Sequence, residues 1–84
     1  MLTGEQIRAA RALLRWEQRD LAEAAKLSIE TIKRLEKIHG PVGGLARTTD
    51  ALQAALEQAG ITLFGDGRYE GEGGPGVRLK QPIK

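Results

Sequence analysis

Four side chains near the start of one predicted helix have the chemistry needed to contact nucleic-acid bases. Ser28 is a good N-cap for this helix, and its outward positions are Ile29, Glu30, Lys33 and Arg34. Arginine can donate two hydrogen bonds to guanine, glutamate can accept one from the cytosine amino group, and isoleucine can pack on a thymine methyl. Lys33 and Lys37 also suit phosphate oxygens. An ordinary solvated helix face carries the same residues, so the surrounding elements must decide between these two interpretations.

The composition predicts one small domain without enzymatic machinery. The 84 residues carry 13 Lys and Arg against 11 Asp and Glu, a net charge of +2 that slightly favours polyanionic partners. Cysteine is absent and His39 is the single histidine, so we expect no disulfide, metal or other cofactor. The sequence has no P-loop and no carboxylate pair with a histidine or nucleophile as partner. We therefore expect no catalytic residues and no enzyme activity.

The sequence also predicts where the protein works. No apolar run approaches the roughly 18 residues of a membrane span, and no signal-peptide core follows the first residue. We therefore expect a cytoplasmic protein with no membrane partner. If the helix described above contacts DNA, we expect the protein to be nucleoid-associated.

Apolar spacing and capping residues predict a helical bundle. Thr3 and Gln6 have the form of a capping box that opens a first helix, with Ile7, Ala10 and Leu14 on its inner face. Two short helices are predicted at about 18–25 and 28–37. A fourth follows one of three possible caps at 48–50 and stops at 60.

The segment after residue 60 has a different character. The runs 61–64 and 77–80 suggest two strands around a glycine-rich loop, which makes an antiparallel hairpin. The predicted organisation is a helix-turn-helix domain at 1–60 and a C-terminal hairpin at 61–84.

The predicted second and third helices carry a specific pattern. Residues 18–22 read Gln-x-x-Leu-Ala, and residues 28–36 read Ser-x-x-Thr-Ile-x-x-Leu-Glu. This stretch resembles the Cro/CI family, also called XRE-type or lambda-repressor-like, over roughly residues 3–60. The Gly-Pro-Gly-Val-Arg-Leu run at 74–79 resembles the tail of some small members. The resemblance implies a mainly α, lambda-repressor-like bundle of about four helices, here with a small C-terminal β-hairpin. It also implies a third helix that enters the major groove of DNA.

Two charges sit where apolar residues are expected. Arg11 falls on the inner stripe of the first predicted helix and Glu36 on that of the third. Both stripes face inward, so the sequence predicts a partly buried ion pair, and the resemblance implies the same pair. The alternative is that the inner faces of the two helices are predicted imprecisely and that both charges lie on the surface.

The resemblance also implies contacts with the DNA backbone. The sequence departs from the family pattern at two positions, Lys26 and Ile29, and Ile29 is apolar where the family commonly has a polar reader. The six candidates for backbone contact are Gln18, Arg19, Ser28, Lys37, Arg47 and Thr48. For Arg47, a plain solvated loop charge is an equally good interpretation. Lys26 stands where the family commonly has glycine, in a turn that needs a positive φ.

Single helix-turn-helix units make few base contacts, so a homodimer on a palindromic operator is expected. The apolar residues of the hairpin are the candidate dimer contacts: Ile61, Leu63, Phe64, Val77 and Leu79. Alternatively, the hairpin folds back onto its own fourth helix and the dimer forms elsewhere.

Three functional hypotheses follow. The first is a sequence-specific transcriptional regulator that acts as a homodimeric repressor on double-stranded DNA. The second is an antitoxin that binds a toxin and also represses its own operon. The third is a helix-turn-helix that binds only proteins, which a salt-dependent DNA titration would distinguish from the others.

Overall fold

Four helices and a small β-ribbon form the fold in a computed structural model that describes residues 2–64, 67–68 and 72–81. The helices are α1 (Gly4–Leu14), α2 (Gln18–Ala25), α3 (Ile29–Glu36) and α4 (Ala46–Gln58). The strands are β1 (Ile61–Phe64), β2 (Gly67–Arg68), β3 (Glu72–Gly73) and β4 (Gly76–Leu79). The prediction of a mainly helical fold with a C-terminal antiparallel hairpin is confirmed.

The predicted capping box opens α1. The Thr3 hydroxyl accepts a hydrogen bond from the Gln6 backbone N–H at 3.0 Å, and Gln6 Oε1 accepts one from the Thr3 N–H at 2.9 Å. The start of α1 lies directly against the end of α3. A Cβ atom added to Gly4 would lie only 2.8 Å from the Leu35 carbonyl oxygen and closer still to that of Ile38. Glycine is needed here because the two helices approach so closely.

A three-residue connection joins α2 to α3. Lys26 ends α2 in the left-handed conformation, with φ of 59°, as its position predicts. The N–H of Leu27 then donates to the Ala22 carbonyl at 2.9 Å, which closes the turn. Ser28 caps α3, and its hydroxyl accepts from the Thr31 N–H at 3.1 Å. The turn therefore fixes the position of α3 relative to α2.

The fourth helix begins earlier than the sequence predicts. It starts at Ala46 after Leu45, whose side chain caps nothing, so the predicted start at 48–50 is wrong. The Thr49 hydroxyl donates to the Ala46 carbonyl at 3.0 Å from within the first turn. A threonine can bond a carbonyl three residues back inside a helix as readily as it caps one, and the sequence does not distinguish these two roles.

One hydrophobic core joins the helices to the ribbon. Its fully buried large side chains come from α1 to α4 and from β1: Ile7, Leu21, Ile32, Leu35, Leu52, Leu56 and Ile61. Strand β1 pairs with β4 in an antiparallel register that places Ile61 opposite Leu79. Of the two ribbon strands, β1 packs against α4 and β4 packs against α1. The ribbon thus closes the side of the bundle between the first and fourth helices.

The predicted glycine-rich loop contains further pairing. Strand β2 pairs with β3, with Gly67 opposite Gly73 and Arg68 opposite Glu72. The rest of this segment, at 65–66 and 69–71, lies outside the described residues, as does the end of the predicted hairpin domain at 82–84.

The ribbon folds onto its own chain, which corrects part of the dimer prediction. Ile61 is 0% exposed, so it has no surface to offer a partner and its assignment as a dimer contact is wrong. Leu63, Val77 and Leu79 are half-buried against the same core, because the inner face of a two-stranded ribbon needs helices to cover it. The ribbon packs on the fourth helix, as the alternative predicts, and also on the first. Where a dimer forms stays a prediction.

A buried glutamine anchors the ribbon to α1. The side-chain amide of Gln6 donates to the carbonyl oxygens of Phe64 at 2.6 Å and Gly76 at 2.9 Å. These two residues face each other at one end of the β1–β4 ladder. Phe64, a fifth dimer candidate, is thus half-buried with its carbonyl bonded to the first helix.

Candidate nucleic-acid interface

The outward face of α3 carries a dense group of charges. Glu30, Lys33, Arg34 and Lys37 are all exposed. Within the described part of the chain, none of these four side chains forms an ion pair or hydrogen bond. Three of the four are cations, so this face has an excess of positive charge that is available to a ligand.

Two residues at the start of α3 are engaged elsewhere. Ile29 is half-buried and packs against the core, so only part of its side chain can reach a thymine methyl. The Ser28 hydroxyl lies 2.9 Å from that of Thr31 and caps the helix. Ser28 is exposed, and its capping role does not prevent contact with a phosphate.

Arg11 and Glu36 meet in a bidentate ion pair. The Arg11 Nε atom lies 2.6 Å from Glu36 Oε2, and its Nη2 atom lies 2.9 Å from Oε1. Glu36 is 4% exposed and Arg11 is 22% exposed. The hydrogen bonds that Arg11 donates to Glu36 raise the pKa of Arg11 above its ordinary range. Arg11 also donates to the Trp16 carbonyl at 2.8 Å, which holds the chain between α1 and α2.

Gln18 extends this network to α2. Its side-chain amide donates to Glu36 Oε1 at 3.1 Å, so one carboxylate connects the first three helices. The amide nitrogen carries a second hydrogen, which is free to reach a phosphate. Gln18 therefore can position Glu36 and still offer a hydrogen-bond donor to a ligand.

Arg8 belongs to the same region, although sequence reasoning did not select it. Its Nη1 atom donates to the Glu36 carbonyl at the end of α3. A signal was available, since Arg8 lies three residues before Arg11 and therefore on a neighbouring side of the same helix.

Two depressions flank the exposed face of α3. The larger one, here called the basic groove, has a volume of about 510 Å³ and is lined by Arg8, Gln18, Lys33, Glu36, Lys37 and His39. The smaller one, of about 300 Å³, is lined by Glu17, Gln18, Arg19, Ile29 and Lys33. Gln18 and Lys33 line both depressions, so the start of α2 and the middle of α3 form one continuous surface.

The remaining backbone candidates lie on other elements. Arg19 is exposed, and its contact with Glu17 spans 3.5 Å between side chains that are 71% and 76% exposed; such a pair leaves the guanidinium available. Arg47 is exposed and Thr48 is half-buried. Both lie in the first turn of α4, so the interpretation of Arg47 as a loop residue is wrong.

An exposed hydrogen-bonded contact joins α1 to the chain after α3. Glu5 accepts from the Gly40 N–H at 3.0 Å and lies 3.2 Å from His39 Nδ1. The Gly40 N–H is the main cause of a lowered pKa at Glu5. His39 is thereby held at the rim of the basic groove.

Comparison with known proteins gives no relative. No protein-family model, curated protein or solved structure matches this chain. The assignment of a function therefore depends on the residues and their geometry.

The described residues support no metal centre and no membrane span. Within 2–64, 67–68 and 72–81, no cluster of three or more His, Cys, Asp or Glu residues is placed to hold a metal ion. No helix in these segments is both long and apolar enough to cross a bilayer.

Proposed function

We propose that this protein is a sequence-specific double-stranded DNA-binding regulator of transcription that inserts α3 into the major groove. In this proposal the bundle is lambda-repressor-like, and the protein acts as a homodimeric repressor on a palindromic operator. One observation carries the proposal: α2 and α3 form a short helix pair with a fixed turn, and the outward face of α3 holds cations that have no partner among the described residues.

The dimensions of the helix pair support this proposal. Each helix has eight residues and the connection has three, which is the size of a helix-turn-helix unit. In such a unit the second helix contacts base edges near its N-terminus while the first crosses the backbone. Arg34 and Glu30 are then the base-reading residues, since both are exposed and their chemistry suits guanine and cytosine.

The network around Glu36 supports it as well. A recognition helix must hold its side chains to a fraction of an ångström to distinguish base pairs. Arg11 and Gln18 bind the Glu36 carboxylate from two other helices. The polar contacts thus hold α3 to the rest of the bundle while its opposite face stays free.

The test is selection of bound sites from random duplex DNA by the full-length chain. We expect a recovered motif with two-fold symmetry and half-sites about 34 Å, one helical turn, apart. Sedimentation of the protein with and without this duplex measures its oligomeric state. Recovery of no motif would contradict sequence-specific binding, and an asymmetric motif bound by a monomer would contradict the homodimer.

Two variants separate base reading from backbone contact. Arg34→Ala should change the preferred base within each half-site and cost about 1–3 kcal/mol on the selected duplex. Lys37→Ala should weaken binding to all sequences alike and reduce the salt dependence. An Arg34→Ala variant with unchanged affinity and preference would show that α3 is not the reading helix.

A further inference from the structure

We propose that the basic groove is a binding site for a phosphate oxyanion, with Arg8 of α1 as its central cation. The ligand is a phosphodiester of the DNA backbone or a free phosphate group. The first source rests on the function proposed above, and the second does not. Arg8 would then extend the contact surface to the first helix, away from the helix pair itself.

The charge in the groove favours an anion. Lys33 and Lys37 line it without any ion pair or hydrogen bond to another described side chain. The one carboxylate in its wall belongs to Glu36, which is 4% exposed and is already bound by Arg11 and Gln18. Because that negative charge is neutralised within the protein, the cations of the groove have no internal counterion.

Arg8 is held ready for a ligand. It is half-buried, and one of its N–H groups donates to the Glu36 carbonyl. A guanidinium has five N–H donors in a planar fork that matches two oxygens of a phosphate. One bond to the backbone therefore orients the group and leaves donors for a ligand. Since the orientation is already fixed, binding loses less side-chain entropy than it would at a free lysine.

The shape of the groove agrees with a hydrated phosphate. Its volume of about 510 Å³ exceeds that of a single oxyanion, so a diester with its flanking sugars or bridging waters fits. The second amide hydrogen of Gln18 supplies a neutral donor on the side of α2. The groove also adjoins the exposed face of α3 through Lys33, so a duplex seated on that face would bring its backbone close to the groove.

The experiment uses the full chain and three variants. Arg8→Gln removes the cation, Arg8→Lys retains a charge, and Arg78→Gln removes an exposed cation on β4 as the matched control. Amide and side-chain NMR shifts are followed during titration with inorganic phosphate, against sodium chloride at equal ionic strength. Binding to a random-sequence duplex is measured over a range of salt concentrations. Thermal melting of each variant checks that it folds, and Lys37→Gln replaces Arg8→Gln if the latter does not.

We expect phosphate to shift signals of Arg8, Gln18, Lys33 and Lys37, and Arg8→Gln to weaken that binding at least about fivefold. On the duplex, loss of one phosphate contact should reduce the slope of log K against log salt by about 0.9. The Arg8→Lys variant should keep most of both effects, and Arg78→Gln should match the wild type.

The outcomes distinguish the two sources of phosphate. Loss of both effects in Arg8→Gln assigns the groove to the DNA backbone. Loss of phosphate shifts with an unchanged duplex slope assigns it to a free phosphate ligand. If the wild type binds no duplex but still binds phosphate in the groove, the proposed DNA function fails and the site stands. Phosphate shifts outside the groove, or an Arg8→Gln variant that behaves like Arg78→Gln in both titrations, would overturn the proposal.

Discussion

Glu36 is the one charged residue that is buried among the residues whose side chains the structure describes, and each of its two oxygens accepts a hydrogen bond. Arg11 binds both oxygens, and Gln18 binds one of them. Arg11 keeps 22% of its side-chain surface in contact with solvent and has a second partner in the Trp16 carbonyl. Loss of Arg11 therefore leaves a buried carboxylate without a cation, whereas loss of Glu36 leaves Arg11 with solvent and the Trp16 carbonyl.

This asymmetry leads to a prediction for the pair. Arg11→Met should lower the free energy of unfolding by about 3–5 kcal/mol because it leaves a buried carboxylate without its cation. Glu36→Met should cost less, about 1–3 kcal/mol, since Arg11 can turn to solvent. The double variant should recover much of the loss, as apolar side chains replace a buried pair well. Denaturant unfolding of the four proteins measures the cycle, and strictly additive losses would show that the residues do not interact.

A second prediction concerns the left-handed turn at Lys26. Its φ of 59° is costly for a residue with a Cβ. Lys26→Gly should raise the free energy of unfolding by a few tenths to about 1 kcal/mol, the folded-state gain being partly offset by a more flexible unfolded chain. Glu23→Gly, inside α2, is the matched control and should cost about 1 kcal/mol. A lower melting temperature for Lys26→Gly would contradict the conformational cost of this turn.

At the scale of elements, the structure depends on two close approaches to α1. Gly4 lies against the carbonyl oxygens that end α3, and Gln6 reaches the ends of β1 and β4. One end of one helix thus positions both α3 and the ribbon.

Gly4→Ala tests the first approach. Alanine is the better helix former, yet its Cβ would lie 2.8 Å from the Leu35 carbonyl oxygen, and backbone would have to shift. We expect a net loss of about 1–3 kcal/mol in unfolding free energy. Gly43→Ala, where an added Cβ meets nothing within 4 Å, should change stability by less than about 0.5 kcal/mol. Equal stabilities in chemical denaturation would show that the helices do not meet at Gly4.

Gln6→Glu tests the second approach. Glutamate keeps the acceptor that completes the capping box but loses the two N–H groups that bind the Phe64 and Gly76 carbonyls. We expect a loss of about 1–3 kcal/mol in the free energy of unfolding. Hydrogen exchange should become faster in the β1–β4 ladder and change less in α4. Gln6→Met, which has neither group, should disturb α1 as well. Uniform exchange across the ladder and α4 would argue against a local anchor.

The sequence predicts some of these features and not others, for physical reasons. The capping box at Thr3, the extents of α2 and α3 and the inward charges at Arg11 and Glu36 depend on local spacing, which is visible in the chain. The start of α4 was mistaken because Thr49 can bond a carbonyl either as a cap or within a turn. Gln6 is 58 residues from Phe64 and 70 residues from Gly76 in the sequence. No local pattern indicates which distant carbonyls a buried amide will meet.

At the scale of the whole molecule, the helical part and the ribbon share one core. Ile61 is 0% exposed and belongs to the hydrophobic core to which all four helices contribute. Strand β4 lies against α1, at the other end of the sequence. The helices alone therefore lack one wall.

Truncation after Gly60 tests this dependence. The shortened chain loses Ile61 and both carbonyl partners of Gln6. We therefore expect it to lose cooperative thermal unfolding, as measured by circular dichroism. Ile61→Ala in the full chain removes only the packing of this side chain. It should lower the free energy of unfolding by about 2–5 kcal/mol. Arg78→Ala, on the exposed side of the ribbon, should stay within about 0.5 kcal/mol of the wild type. A truncated chain with the original melting temperature would show that the ribbon is dispensable.

The position of β4 has a consequence for biosynthesis. The ribosome makes all four helices before it makes this strand, and at about 5–20 residues per second the interval from Gly60 to Leu79 lasts on the order of seconds. Before β4 is made, the helices lack the strand that packs against α1. We expect a chain released before β4 is made to unfold more readily and so to be a better substrate for proteases. The stable fold therefore requires strand β4, which is made after all four helices.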